Sequence, residues 1–186
     1  MNLAYALRWI GFRSTIFPLL GGLGPAIAAI TMALILEGFQ GVGRLLGGLF
    51  CKGARWTWFA MALVLQPLIT LAALSLESLL PGADMNFSAF PGVLPFLAFF
   101  AGMIATNVWE EIGWRGFALP RLQKRFSPLV SSLVLGFFWS LWHLPLVLNP
   151  IEEMAALPLW AILPYMLALS VLYTWLYNKA NGNLSV

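Results

Sequence analysis

The chain has 186 residues, of which 61% are hydrophobic and 9% charged, against about 45–50% and about 25% in soluble globular domains. Ten Lys or Arg and seven Asp or Glu cannot clothe a soluble fold, whereas a helix bundle in a bilayer needs little polar surface. The net charge of +3 is scattered through short segments with no aromatic or Gly-rich RNA-binding pattern, so the lipid bilayer, and not nucleic acid, is the expected environment.

In chain order, the opening residues do not read as a signal peptide, because Arg8 and Arg13 interrupt the apolar stretch and no small-residue cleavage site follows. Apolar runs then predict five membrane spans: Thr15 to Leu36, Trp56 to Leu80, Val93 to about Gly116, Pro128 to Leu148, and Leu157 to Tyr177. None of them alternates apolar and polar residues as barrel strands do, so the fold class is all-α, a polytopic transmembrane helix bundle. No repeat, low-complexity tract or long linker divides residues 1–186, which read as a single membrane-embedded domain. Gly41 to Gly48, Pro81 to Pro91, and Asn149 with Pro150 mark the loops. Gly43 and Gly47 form a GxxxG pattern, but in a predicted loop it does not argue for a dimer. The single cysteine, Cys51, has no partner for a disulfide and no metal-ligand spacing, and reads as a bystander thiol.

Charge orients the spans. Arg44, Lys52 and Arg55 follow the first span, Arg121, Lys124 and Arg125 follow the third, and Lys179 follows the fifth. The alternating loops hold Glu77 and Asp84, then Glu152 and Glu153, with no basic residue. By the positive-inside rule the basic loops are cytoplasmic. Arg8 and Arg13 dissent from this arrangement unless the first residues form an interfacial helix.

One charged segment runs straight out of an apolar span: Asn107-Val108-Trp109-Glu110-Glu111-Ile112-Gly113-Trp114-Arg115. Ionisable residues at membrane depth are costly, which makes them functional-site candidates by default. The turn between the third and fourth spans is centred between Phe126 and Ser127, and Glu110 and His143 are equidistant from it. If the third helix continues to about Lys124, Glu110 lies eleven residues, about 16 Å at 1.5 Å per residue, to the membrane side of Arg121. Pro120 is expected to kink the helix or end it early, which would reduce that depth. Gly102, Thr106, Glu110 and Gly113 share one helical face, and Ser132, Gly136, Ser140 and His143 share another at the same intervals. Small-residue stripes allow close helix packing in membranes, so these two are expected to meet face to face with the acid and the imidazole between them. Glu111 and Arg115 are spaced for an intrahelical ion pair.

A carboxylate beside an imidazole in a low-dielectric site suits the activation of water, and hence peptide hydrolysis. A structural ion pair with a helix-bridging histidine, or a solvated loop, would use the same residues. Glu and His are also zinc ligands, and one divalent metal such as Zn is a candidate cofactor. A catalytic zinc, however, usually takes three protein ligands, and this chain has one His and no suitable Cys, so the metal is left undefined.

EEIGWR at 110–115 matches the EExxxR motif, and Trp139-Ser140-Leu141-Trp142-His143 occupies the FxxxH motif, of the CPBP intramembrane proteases. That group takes in CAAX prenyl endopeptidases, bacteriocin-processing enzymes and Abi-type proteins. The intervening WRGFALPRLQKRFSPLVSSLVLGFFWSLWHLPL is similar throughout, with Trp139 standing where the motif usually has Phe. The resemblance implies a multi-pass endopeptidase, expected in a bacterial cytoplasmic membrane. Such an enzyme cleaves near the C-terminus of a membrane-associated substrate, either a lipidated CAAX-like protein or a bacteriocin-type peptide. It also implies that Glu110 activates water with His143 while Glu111 and Arg115 support the site, by a metal-dependent or a glutamate-dependent mechanism. The family has a further motif on a later helix, with a second His and an Asn, and no residue here takes those roles. Tyr177 to Gly182 resembles the connection into that helix. A chain cut short is therefore expected, beside the alternatives of a degenerate non-catalytic member or completion of the site by another chain. Two functions from other classes use the same residues: a non-catalytic membrane immunity or peptide-binding protein, and a proton-coupled transporter. For the transporter no broken-helix pair or pseudo-symmetric halves are visible.

Overall fold

The computed structural model describes residues 16–50, 55–79, 92–148, 154 and 158–184. Helices α1 (Ile16–Gly47), α2 (Trp56–Glu77) and α3 (Val93–Glu111) are followed by a π-helical segment (Ile112–Ala118) that runs directly into the short α4 (Leu119–Gln123), then by α5 (Pro128–Val147) and α6 (Leu159–Lys179). No strand occurs among the described residues, and the molecule is an all-α bundle. Four stretches are long and apolar enough to cross a membrane: Gly21–Gly47, Trp56–Ala73, Pro128–Val147 and Leu159–Lys179. Arg8, Arg13, Cys51, Lys52, Asp84, Glu152, Glu153, and the predicted span ends Thr15, Leu80 and Leu157 lie outside the described residues.

The distribution of side chains is that of a protein solvated by lipid. Ile35, Leu36, Phe39, Leu63, Leu94 and Trp160 point outward, while Ala26, Ala29, Ala33, Ser131, Ser132, Ser170, Thr174 and Arg115 are buried. Apolar tails solvate Leu and Phe as well as a protein core does, so beside buried Ile112, Leu119 and Leu135 the interior takes small residues that let backbones approach and polar groups that lipid would not accept.

The first helix is longer than its apolar run. It breaks at Gly38 (φ 65°, ψ −165°) and resumes through Gly47, so the predicted loop from Gly41 onward is largely helical. A positive φ is tolerated by glycine at the break. Beyond it, Leu45 is buried in one cluster with Ala33, Ile112 and Leu184, and this burial holds the glycine-rich turns in place. Gly43 and Gly47, of the GxxxG pattern, are therefore helical, and a Cβ at either would meet no neighbour within 4 Å.

The two small-residue stripes do not pack on each other. α1 packs on α3 and on the π-helical segment, where a Cβ on Gly113 would lie 2.5 Å from Pro25 Cβ and 2.6 Å from its carbonyl carbon and oxygen. The one on α5 turns to α6: a Cβ on Gly136 would lie 2.8 Å from Ser170 Cβ, and Ser170 Oγ donates to the Ser132 carbonyl at 2.7 Å. The most extensive helix pairing is α5 with α6, and α1 covers α3 and the π-helical segment. Gly113 and Gly136 thus each meet a different helix, which periodicity within one helix cannot identify.

At one end of the bundle Glu37 accepts from Arg44 Nη2 at 2.7 Å and pairs with Arg121, which ties α1 to α4. The Leu184 amide donates to the Gly48 carbonyl at 2.8 Å, bringing the end of α6 to the same place. Arg44, Arg121 and Lys179 therefore gather at one end, as their loops predict. Glu37 is an acid at this basic end that the charge pattern alone did not place.

Candidate active site at the end of the third helix

Glu110 and Glu111 close α3, and Arg115 sits in the π-helical segment. The helix does not end early at Pro120. Wider turns, in which the Leu119 amide reaches back to the Trp114 carbonyl, deliver the proline into the first turn of α4, where a missing N–H costs least. More residues per unit length in these turns make the separation of Glu110 from Arg121 shorter than a pure α-helix gives. The other side begins at Ser127, whose hydroxyl accepts from the Val130 amide at 3.3 Å and caps α5 ahead of Pro128. From there α5 carries Trp139, Ser140 and His143, while α6 brings Tyr173 against Trp139.

Arg115 is 1% exposed. Its Nη1 donates to Glu111 Oε1 at 2.8 Å. Its guanidinium lies 4.4 Å from the centre of the Trp139 ring and 5.0 Å from that of Tyr173. A buried cation is tolerable only when paired and faced by groups of negative potential, and one carboxylate with two aromatic faces supplies both.

Trp139 links the two halves of the site. Its indole Nε1–H donates to Glu110 Oε2 at 3.0 Å, its carbonyl receives His143 Nδ1 at 2.9 Å, and its ring meets the imidazole edge-on at 5.5 Å. A carbonyl only accepts, so Nδ1 carries the proton and the Nε2 lone pair of a neutral His143 is left to take a proton or a ligand. Glu110 and His143 are thus gathered through Trp139. Ser140 is engaged on its own helix, its hydroxyl donating to the Phe137 carbonyl at 2.7 Å.

Sequence reasoning selected Glu110, Glu111, Arg115 and His143. It treated Trp139 only as a motif aromatic and missed Tyr173. Tyr173 lies three residues beyond the small Ser170 on α6, a signal that becomes readable only once α6 is known to pack on α5. For the candidate divalent metal, Glu110 and His143 are the side chains of this site left to hold it. Among the described residues no three His, Cys, Asp or Glu side chains come together, Glu111 is committed to Arg115, and Glu110 with His143 falls short of the three protein ligands of a catalytic zinc.

The model of the type II CAAX prenyl endopeptidase Rce1-like family matches residues 92–186, a stretch that holds every residue of this site. The chain belongs to that family. It is also similar to CAAX prenyl protease 2 of Methanococcus maripaludis, 31% identical over 126 residues, covering 62% of this chain and 46% of the relative. The chain spans less than half the length of that relative. The Rce1-like match begins where α3 begins, so α1 and α2, the helices that precede it, lie outside the matched stretch. With its apolar helices, the family member is an integral membrane protein.

Proposed function

We propose that this chain carries the hydrolytic centre of an intramembrane CAAX-type endopeptidase, with Glu110 as general base. The observation that supports it best is the indole hydrogen bond from Trp139 to Glu110 Oε2, which fixes one carboxylate oxygen and leaves the other to address a water molecule. Glu110 takes a proton from water as its oxygen attacks the scissile carbonyl. The tetrahedral intermediate then collapses as the proton passes to the leaving amine. His143, oriented by the Trp139 carbonyl, presents Nε2 to the same water or to the departing nitrogen. Glu111 and Arg115 touch no reacting atom and hold the turn that aims Glu110.

The substrate class is a membrane-associated protein or peptide cut near its C-terminus, in keeping with the CAAX prenyl protease relative. The basic end of the bundle faces the cytoplasm, where such a C-terminus is presented. The test is cleavage of a prenylated CAAX peptide by the chain in lipid vesicles. Loss of a general base costs about 10²–10⁴-fold, so E110Q and H143A should each lower cleavage within that range with substrate binding retained. Unchanged turnover in E110Q overturns the assignment.

A further inference from the structure

A second feature lies away from Glu110, between α5 and the helix that continues α3. A groove of about 600 Å³ is lined by Trp114, Phe117, Phe126, Val134 and Phe138, with Lys124 and Arg125 at its mouth. Phe126 and Phe138 are exposed, so the apolar wall of the groove reaches the surface of the bundle. The third cation nearby, Arg121, is already spent: it pairs with Glu37, donates to the Phe117 carbonyl at 3.0 Å and lies over the Phe117 ring at 3.6 Å. Lys124 and Arg125 have no such partner among the described residues. Glu37 is held by Arg44 and Arg121, Glu111 by Arg115, and Glu110 by Trp139.

We propose that this groove binds one anionic phospholipid, its headgroup on Lys124 and Arg125 and part of an acyl chain along Phe117, Val134 and Phe138. A free anion would neutralise the cations but leave the apolar wall open, and a neutral hydrocarbon would do the reverse. An anionic amphiphile satisfies both, and it is the solvent that such a bundle meets at the level of its basic loops. The capped start of α5 at Ser127 adds the positive end of a twenty-residue helix beside the headgroup. The site is independent of the hydrolytic reading.

The test is native mass spectrometry of the purified chain titrated with phosphatidylglycerol and with phosphatidylcholine of the same acyl composition. Each basic residue at an anionic lipid surface is worth about fivefold in affinity. The unaltered chain should therefore prefer phosphatidylglycerol by more than about tenfold, K124Q/R125Q should bind the two lipids alike, and V134W, which fills the groove, should weaken both. The charge variant lies on exposed positions that contribute nothing to packing, so that arm stands even if V134W does not fold. Equal binding of the two lipids by the unaltered chain, or a preference that survives K124Q/R125Q, overturns the proposal. So does displacement of the lipid by glycerol phosphate alone at comparable concentration, since that would make this a headgroup site only.

Discussion

Trp139 is the residue on which the site turns, and the family motif usually has Phe at its position. A Phe there could face Arg115 and His143 as an aromatic but could not donate to Glu110. A hydrogen bond to a charged group is worth about 1.5–3 kcal/mol, so W139F should lower kcat by about ten- to a hundredfold while leaving KM nearly unchanged. A change in KM with kcat intact would mean that the indole binds substrate and does not position the base. The EExxxR spacing was legible because residues four apart share a helical face, and Glu111 and Arg115 do pair at 2.8 Å. The partners that make Arg115 tolerable at 1% exposure were not legible. Trp139 and Tyr173 reach it from two other helices, and no local periodicity specifies such a meeting.

At the scale of elements, the passage from α3 through π-helical turns into α4 carries Arg115 one turn beyond Glu111 without breaking the chain at Pro120. It depends on α1 lying almost against the backbone at Gly113. The atoms a Cβ would strike belong to Pro25, whose ring and carbonyl cannot turn aside. G113A should therefore destabilise the protein by about 1–3 kcal/mol, seen as a lower unfolding temperature in detergent. G102A, where an added Cβ would meet nothing within 4 Å, should have no such effect. Equal stability of the two variants would show that the contact between α1 and the π-helical segment is dispensable. The sequence marked both glycines as members of one small-residue stripe. Which of them leaves no room for a Cβ, and against which helix, was settled by how the helices dock.

For the whole molecule, the Glu37 pairs and the Leu184 amide bond draw the ends of α1, α4 and α6 to one basic end. Cysteines placed at Arg125 and Lys179 in a C51S background should accordingly react with a membrane-impermeant maleimide from the same side, the cytoplasmic one. Labelling of the two from opposite sides would break the arrangement, and labelling of both from outside would reverse the orientation. The amino-acid sequence by itself determined that the chain is a membrane-embedded helix bundle, roughly where its helices run, and that Glu111 and Arg115 pair along one helix. Those properties follow from composition, apolar run length and helical spacing, all of them local. The tertiary structure alone decided that α3 packs on α1 and α5 on α6, that Trp139 joins Glu110 to His143, and that Tyr173 covers Arg115. Lipid solvates every apolar helix face about equally well, so the pattern of hydrophobic residues does not say which faces meet; close backbone contacts and the pairing of buried polar groups do.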